Sequence, residues 1–299
     1  MQHLLNIKSL SNDEILQITD LAKHYEKTVP TGEQKRKTCG SIALMFFENS
    51  TRTRFSFEMA GKKLGLSCFN FEIQKSSILK GENYFDTLNN LNAIGCDIAI
   101  IRHSKEGIIE ELSNYGYQYG LSIVNAGEGK KAHPTQALLD FYTMQKHLKD
   151  VKGKKIVIVG DIIHSRVAKS NIELLNRFGA KIVCCSPSYF EDWSLENITY
   201  EPNLQIALKD ADVVMALRIQ KERIEQNIPY AQYIEDYQIN ENNLPKGAIL
   251  MHPGPVNRDV EISSSLLDGK KGEIIIEQAR NGVFVRMAVL DMVLEGTKK

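Results

Sequence analysis

The sequence predicts an α/β protein of two domains, each a mostly parallel sheet flanked by helices, joined by crossing helices. Three observations predict it. Strand-length apolar runs alternate with segments of helical period along the whole chain. The runs lack the strict polar–apolar alternation of a half-exposed strand, so both of their faces are buried, as in parallel sheets. The pattern also pauses at one polar turn, Val151-Lys152-Gly153-Lys154, before a fresh strand opens at KKIVIVGD.

With 299 residues the chain can build one large or two ordinary domains. MQHLLNIKSLSNDEILQITDLAKHY reads as an amphipathic helix starting near Asn12 or Asp13. It lacks a cationic start followed by an apolar core, so it is read as part of the fold rather than as a signal peptide. The first unit then takes strands at 41–47, 67–71, 97–101 and 122–124, with helices at 55–64 and 107–115. A long helix, 134–150, crosses to the second unit. There the strands are 155–159, 181–185, 212–217 and 248–251, with helices at 167–178 and 204–208. Residues 220–243 are polar and Tyr-rich, and read as a loop with short helices. The last helix, 281–294, carries one apolar stripe, Val283, Met287, Leu290 and Leu294, and should return to the first unit. The expected domains are therefore residues 1–132 with 281–299, and residues 133–280. Internal repeats, low-complexity tracts and long charge blocks are absent from the sequence.

Lys+Arg and Asp+Glu both number 37, so the chain has no net charge. That argues against nucleic-acid or membrane-surface partners, which call for a basic excess, but permits a local basic pocket. The longest apolar runs are strand-length, too short to span a bilayer. The five cysteines, Cys39, Cys68, Cys96, Cys184 and Cys185, form no C-x-x-C pair and show no metal spacing. They read as buried, reduced thiols of a cytoplasmic protein.

In open α/β sheets, ligands bind outside the carboxyl ends of the strands. Those ends are followed here by Glu48 to Arg54; by Arg102 and His103; by Gly160, Asp161, His164 and Arg166; by Arg218, Gln220, Lys221 and Arg223; and by His252 to Arg258. Five loops in register deliver cations or imidazoles, which points to an anionic substrate with more than one charged group. Solvated loop cations are the bland alternative.

Ser50-Thr51-Arg52-Thr53-Arg54 is the densest cluster. Two arginines at a helix start oppose the macrodipole. An anion would reverse that cost, because the helix start offers free N–H groups and the hydroxyls and arginine forks add donors. An ordinary Ser50 or Thr51 N-cap would need one hydroxyl and no arginine. Arg52 and Arg54, two apart, face different sides: Arg52 is assigned to the ligand and Arg54 to the scaffold. The loop after residue 159 lacks G-x-G-x-x-G, and no P-loop motif occurs, which disfavours dinucleotide and P-loop NTPase sites. His133-Pro134-Thr135-Gln136 opens the long helix. A neutral imidazole there can donate to a carbonyl oxygen and stabilise a developing oxyanion.

Ser50 to Arg54 with Phe55-Ser56-Phe57-Glu58, then His133-Pro134-Thr135-Gln136, closely resembles the carbamoyltransferase family, and the likeness runs over essentially the whole chain. Leu217-Arg218-Ile219-Gln220-Lys221-Glu222-Arg223 resembles the aspartate-binding loop of its aspartate-using branch. His252-Pro253-Gly254-Pro255-Val256-Asn257-Arg258 resembles its proline loop, and Ser76-Ser77-Ile78-Leu79-Lys80-Gly81-Glu82 its loop ending in Lys-Gly-Glu. The H-C-L-P and D-x-x-x-S-M-G signatures of ornithine-using members are absent. One departure is Gly127-Glu128-Gly129, where the family pattern has Asp in the middle.

The resemblance implies transfer of a carbamoyl group from carbamoyl phosphate to the amine of L-aspartate, the committed step of pyrimidine synthesis. It implies no metal and no organic cofactor. Ser50, Thr51, Arg52 and Thr53 would cradle the phosphate. Arg102, His133 and Thr53 would surround the carbonyl oxygen. Gln136 and carbonyls near Gly254 and Pro255 would hold the carbamoyl NH₂. Arg166, Arg218 and Gln220 would take the two carboxylates of aspartate, with Asp161 orienting its neighbours. Lys80 would reach both substrates. Ser76 and Lys80 would act in the neighbouring subunit's site, making a homotrimer with shared sites; whether a regulatory chain also binds stays open. A carbamoyltransferase acting on another amino acid, such as ornithine, and a non-catalytic anion-binding subunit are the alternatives.

Overall fold

The computed structural model describes residues 1–30, 39–72, 76, 81–220 and 229–297. Its elements begin with α1 (Asn12–Thr28), β1 (Ser41–Phe46), α2 (Thr51–Leu64), β2 (Ser67–Asn70), α3 (Tyr84–Ala93), β3 (Ile98–His103), α4 (Ile108–Tyr119), β4 (Ser122–Glu128) and α5 (Pro134–Leu148). They continue with β5 (Lys155–Val159), α6 (Arg166–Arg177), β6 (Lys181–Cys185), β7 (Thr199–Tyr200), α7 (Leu204–Leu208), β8 (Val213–Ala216), α8 (Tyr230–Tyr237), β9 (Ile249–Met251), α9 (Ser264–Asp268) and α10 (Glu273–Thr297). The chain forms two compact units, Met1–Leu139 with Asn281–Lys299, and Asp140–Arg280. The divisions fall inside α5 and inside α10, so each of these helices contributes to both units. Among the described residues, no helix is long and apolar enough to cross a membrane.

The first unit holds a parallel sheet in the order β2-β1-β3-β4. Apolar runs fill the middle, where Ile42, Ala43, Leu44 and Met45 on β1 and Ile98 to Ile101 on β3 are all buried. The sheet packs against Leu88, Ile108, Ile109 and Leu112 from α3 and α4. α1 starts with a full capping box: Ser11 Oγ accepts the Glu14 N–H, and Glu14 accepts the Ser11 N–H. α2 lies close on the sheet because residue 61 is glycine. A Cβ there would come within 2.6 Å of Ile42 and 2.7 Å of the Cys68 sulfur.

The second unit holds a parallel sheet in the order β7-β6-β5-β8-β9. Its strands are short and apolar, and one cluster of buried residues joins Val157, Val159, Val214 and Leu250 to Phe190, Tyr233 and Ile262. α6 is capped by Ser165, whose hydroxyl accepts the Ala168 N–H at 3.1 Å.

Four sequence expectations need correction. The last helix begins at Glu273 rather than 281, because its first turns belong to the second unit and so fall outside the apolar stripe that marked it. α3, β7 and α9 were not expected: β7 and α9 are too short to carry a periodic run, and α3 carries only a brief one, Phe85, Leu88 and Leu91. Strand β4 extends to Glu128, beyond the anticipated end at 124; all seven of its residues are buried, including polar Asn125 and Glu128. Of the five thiols, Cys39 is exposed and Cys68 half-buried, while Cys96, Cys184 and Cys185 are buried. Burial holds Cys184 and Cys185 protonated, each pushed up to about 12.

Candidate active site

In the first unit the candidate residues gather at the carboxyl ends of β1, β3 and β4. Phe46 pairs in register with Arg102, and the Phe47 N–H donates to the Arg102 carbonyl at 2.8 Å, so β1 and β3 end side by side. Ser50 is the N-cap residue of α2, yet its side chain makes no capping bond, and the first turn holds no acid. α1, α3, α6 and α9 all carry a side-chain cap. The ordinary-cap reading of Ser50 therefore does not hold. Thr53 is buried, Ser50 half-buried, and Thr51 and Arg52 exposed. Arg54 is also exposed and lies over the Phe55 ring, its guanidinium carbon 5.3 Å from the centroid. Arg102 extends its Nε to Glu48 at 3.2 Å and an Nη to the Ala126 carbonyl at 3.4 Å.

β4 leads through a tight turn, in which the Glu128 N–H donates to the Ala132 carbonyl, to buried His133, Thr135 and Gln136 at the start of α5. Glu128, the departure from the family pattern, accepts the Ile109 N–H at 3.1 Å. α4 begins at a glycine that offers it no side-chain cap, so the longer Glu supplies the missing acceptor from the neighbouring strand. Arg286 is a functional candidate that sequence reasoning missed. Only 3 % exposed, it donates to Ser56 Oγ on α2 at 2.8 Å, reaches Thr135 Oγ1 on α5 at 3.5 Å and stacks on Phe57. One guanidinium thus ties the helix carrying Arg52 to the turn carrying His133. The local sequence VFVRMAVL looks like plain helix stripe, and only the depth of Arg286 reveals it.

His103 belongs to a different kind of site. Its Nδ1 accepts the Lys105 N–H at 2.8 Å, its Nε2 faces Tyr84 Oη at 3.2 Å, and its ring packs against Phe47 and Tyr84. Burial pushes the imidazole below its ordinary 6.5, with Lys105 acting in the same direction and Glu48 opposing. The unfolded chain therefore takes the proton first. The stability His103 contributes is complete above 6.5 and is lost as pH falls through that value towards the lower folded pKa. His103→Gln, which cannot titrate, should flatten the acid-side decline in urea midpoints below pH 6.5; an unchanged decline would assign it to other groups.

In the second unit the candidates follow β5, β8 and β9. Asp161, fully buried after β5, accepts His164 Nδ1 at 2.8 Å and the His164 N–H at 3.3 Å on one oxygen, and the Gln220 N–H at 3.1 Å on the other. It orients its neighbours by hydrogen bonding. Arg166 is buried at the first position of α6, and Arg218 is half-buried just beyond β8. β5 and β8 are adjacent strands, and the two arginines follow them, Arg218 directly and Arg166 after a loop. A second buried carboxylate, Glu261, works from the other side. It accepts the Ile219 N–H at 3.4 Å, the Asn257 N–H at 2.7 Å and the Asn257 side-chain amide at 2.8 Å. Burial raises its pKa, opposed by the Asn257 and Ile219 hydrogen bonds. Two carboxylates therefore pin consecutive N–H groups, those of Ile219 and Gln220, in the loop that presents Arg218.

Gly254 donates its N–H to His252 Nδ1 at 2.7 Å, which folds the 252–255 turn. Arg258, counted among the strand-end cations, is exposed and forms a bidentate pair with Asp268 at 2.7 and 3.0 Å. Ser76 is half-buried. Lys80, Lys221 and Arg223 lie outside the described residues.

The profile of the aspartate/ornithine carbamoyltransferase carbamoyl-P binding domain matches residues 2–146, and that of the Asp/Orn binding domain matches residues 152–293. The chain belongs to the aspartate/ornithine carbamoyltransferase family. Among relatives in this family, the aspartate carbamoyltransferase catalytic subunit of Thermus thermophilus is 41% identical over 305 residues, covering 100% of each chain. That of Flavobacterium johnsoniae is 42% identical over 299 residues, covering 97% of this chain and 96% of its own. The solved catalytic subunit of M. jannaschii aspartate transcarbamoylase superposes with a TM-score of 0.88 at 33% identity, covering 100% of this chain and 99% of that one. The Trypanosoma cruzi aspartate transcarbamoylase in complex with N-(phosphonacetyl)-L-aspartic acid gives 0.84 at 29% identity, covering 97% and 94%. The two family domains thus match the same two halves that carry the parallel sheets.

Proposed function

We propose that the chain transfers the carbamoyl group of carbamoyl phosphate to L-aspartate, giving N-carbamoyl-L-aspartate and phosphate. The observation that carries the acceptor is the arginine pair. Arg166 opens α6 after the loop that follows β5, Arg218 stands just beyond the adjacent strand β8, and the Arg218 loop is held at two successive N–H groups by Asp161 and Glu261. Two guanidinium forks suit an acceptor with two carboxylates; ornithine has one.

The amine of aspartate attacks the carbamoyl carbon, a tetrahedral intermediate forms, and the C–O bond to phosphate breaks with its electron pair leaving on phosphate, which takes up the proton that the amine loses. Ser50, Thr51, Arg52 and Thr53 receive the phosphate at the uncapped start of α2, and Arg52 offsets charge on the departing group. Arg102, His133 and Thr53 donate to the carbonyl oxygen as it becomes an oxyanion. Gln136 and the carbonyls near Gly254 and Pro255 accept from the carbamoyl NH₂. Arg166, Arg218 and Gln220 hold the aspartate carboxylates. Catalysis is then positioning plus electrostatics.

Ser76 and Lys80 are assigned to the neighbouring subunit's site in a homotrimer, in a cytoplasmic enzyme of pyrimidine biosynthesis. Purified chain given carbamoyl phosphate should form N-carbamoyl-L-aspartate with aspartate and little product with ornithine; the reverse preference would sink the acceptor assignment. Mixed Lys80→Ala and His133→Ala chains, inactive alone, should regain part of the activity once subunits exchange. No recovery after verified exchange would mean self-contained sites.

A further inference from the structure

Asp140, Asn171, Gln278 and His252 form one hydrogen-bonded chain inside the second unit, and none is more than 2 % exposed. The two oxygens of Asp140 accept Gln278 Nε2 at 2.6 Å and Asn171 Nδ2 at 2.8 Å. Gln278 Oε1 accepts the His252 N–H at 3.0 Å. His252 Nδ1 accepts the Gly254 N–H at 2.7 Å.

This chain has a direction. A carboxylate only accepts, so Gln278 must turn its NH₂ towards Asp140 and its oxygen towards His252. The His252 N–H only donates, so it demands the same orientation, and Asp140 holds the other end of the amide with a charge-assisted bond. A buried carboxylate is costly, and an apolar side chain could fill the same space, so its use here calls for a reason beyond stability. The far end of the chain is the 252–255 turn.

We propose that Gln278 is a positioning residue that, oriented by Asp140, sets the 252–255 turn so that its carbonyl groups receive the carbamoyl NH₂ of the substrate. The inference rests on the carbamoyl-phosphate reading for its substrate and on the hydrogen bonds for its geometry. Gln278 acts through His252 and Gly254 and touches no substrate atom itself.

Gln278→Glu tests the direction of the chain. The new carboxylate can still accept from His252, but it meets Asp140 across the 2.6 Å contact, where the two carboxylates repel each other unless one proton lies between them. At pH 8, kcat/KM for carbamoyl phosphate should fall about tenfold or more, the size of one buried bond left unmade. Activity should recover as pH falls and the shared proton binds. The dissociation constant for inorganic phosphate, held in the first unit, should stay within about twofold.

Asp140→Asn combined with Gln278→Glu transposes the charge. The amide introduced at position 140 then donates to the carboxylate introduced at position 278 and accepts from Asn171, and every bond of the chain is restored. This double variant should return to within about threefold of wild type and lose the new pH dependence. A double variant as impaired as the single, or a Gln278→Glu variant with wild-type kcat/KM and pH profile, overturns the proposal. If Gln278→Glu does not fold at pH 8, a folded double variant whose kcat/KM stays more than about threefold below wild type overturns the proposal. The Gly254 amide NMR shift gives a reading independent of substrate: it should move in the single variant and return in the double. A wild type that forms no product with carbamoyl phosphate would sink the substrate reading while leaving the amide shift to judge the chain.

Discussion

Arg52→Ala should lower kcat by roughly 10²–10³-fold, the cost of removing one preorganised charge from a transition state, and leave the thermal midpoint within about 2 °C of wild type. The two halves of that result have separate causes. Arg52 is exposed, so its removal opens no cavity. It also sits one position into α2, whose first turn holds no acid, so its cation opposes the helix dipole at a cost of about 0.3–1 kcal/mol. The catalytic loss has the opposite origin. The Ser50 side chain does not cap the helix, so the first-turn N–H groups have no side-chain acceptor from that residue. A phosphate there would accept from the N–H groups and meet the Arg52 fork together. Arg54→Ala, which removes a guanidinium lying over the exposed Phe55 ring, should cost far less in turnover. Steady-state kinetics with differential scanning calorimetry checks both arms. Near-normal turnover in Arg52→Ala would remove the phosphate assignment, and a midpoint loss large enough to explain the lost rate would make Arg52 structural.

The two parallel sheets were legible because strand periodicity is local: Ile156 to Val159 and Val213 to Ala216 announce themselves within five residues. So was the cluster at Ser50 to Arg54, where the oddity is two arginines against a helix dipole. Charge alone misled at two places. His103 looked like one more imidazole at a strand end, yet its Nδ1 is used by a backbone N–H and its ring by Phe47 and Tyr84. Arg258 looked like one more anion-binding cation, yet it is paired with Asp268. The supporting residues were illegible for a common reason, which is distance along the chain. Glu261 reaches Ile219 across 42 residues, Gln278 reaches Asp140 across 138, and Arg286 reaches Ser56 across 230. A sequence window sees each of them as an ordinary polar residue. Only burial, with a partner from another element, distinguishes them.

Gly160→Ala should lower the thermal midpoint by roughly 5–15 °C and raise the KM for aspartate, although residue 160 carries no chemistry. Its φ is 121°, a conformation that side chains resist. An added Cβ would stand 2.8 Å from the Leu217 carbonyl oxygen and 3.0 Å from Tyr233 Oη. Backbone strain and forced repacking each cost about 1–3 kcal/mol. Neither neighbour can withdraw freely. Tyr233 is buried at 2 % exposure, and the Leu217 N–H is bonded to the Val159 carbonyl at 2.8 Å. Beyond Leu217, the Ile219 and Gln220 N–H groups are fixed to Glu261 and Asp161. The strain must then pass into the one residue between them, Arg218, which is assigned to an aspartate carboxylate. A bidentate fork loses its second bond when displaced by a fraction of an ångström, so aspartate should bind more weakly while phosphate affinity, set in the first unit, stays unchanged. Calorimetry and titrations with each substrate separate the outcomes. A stable variant with unchanged aspartate KM would show that the loop yields around a Cβ, and that the close approach of β5 and β8 at this point does not govern where Arg218 stands.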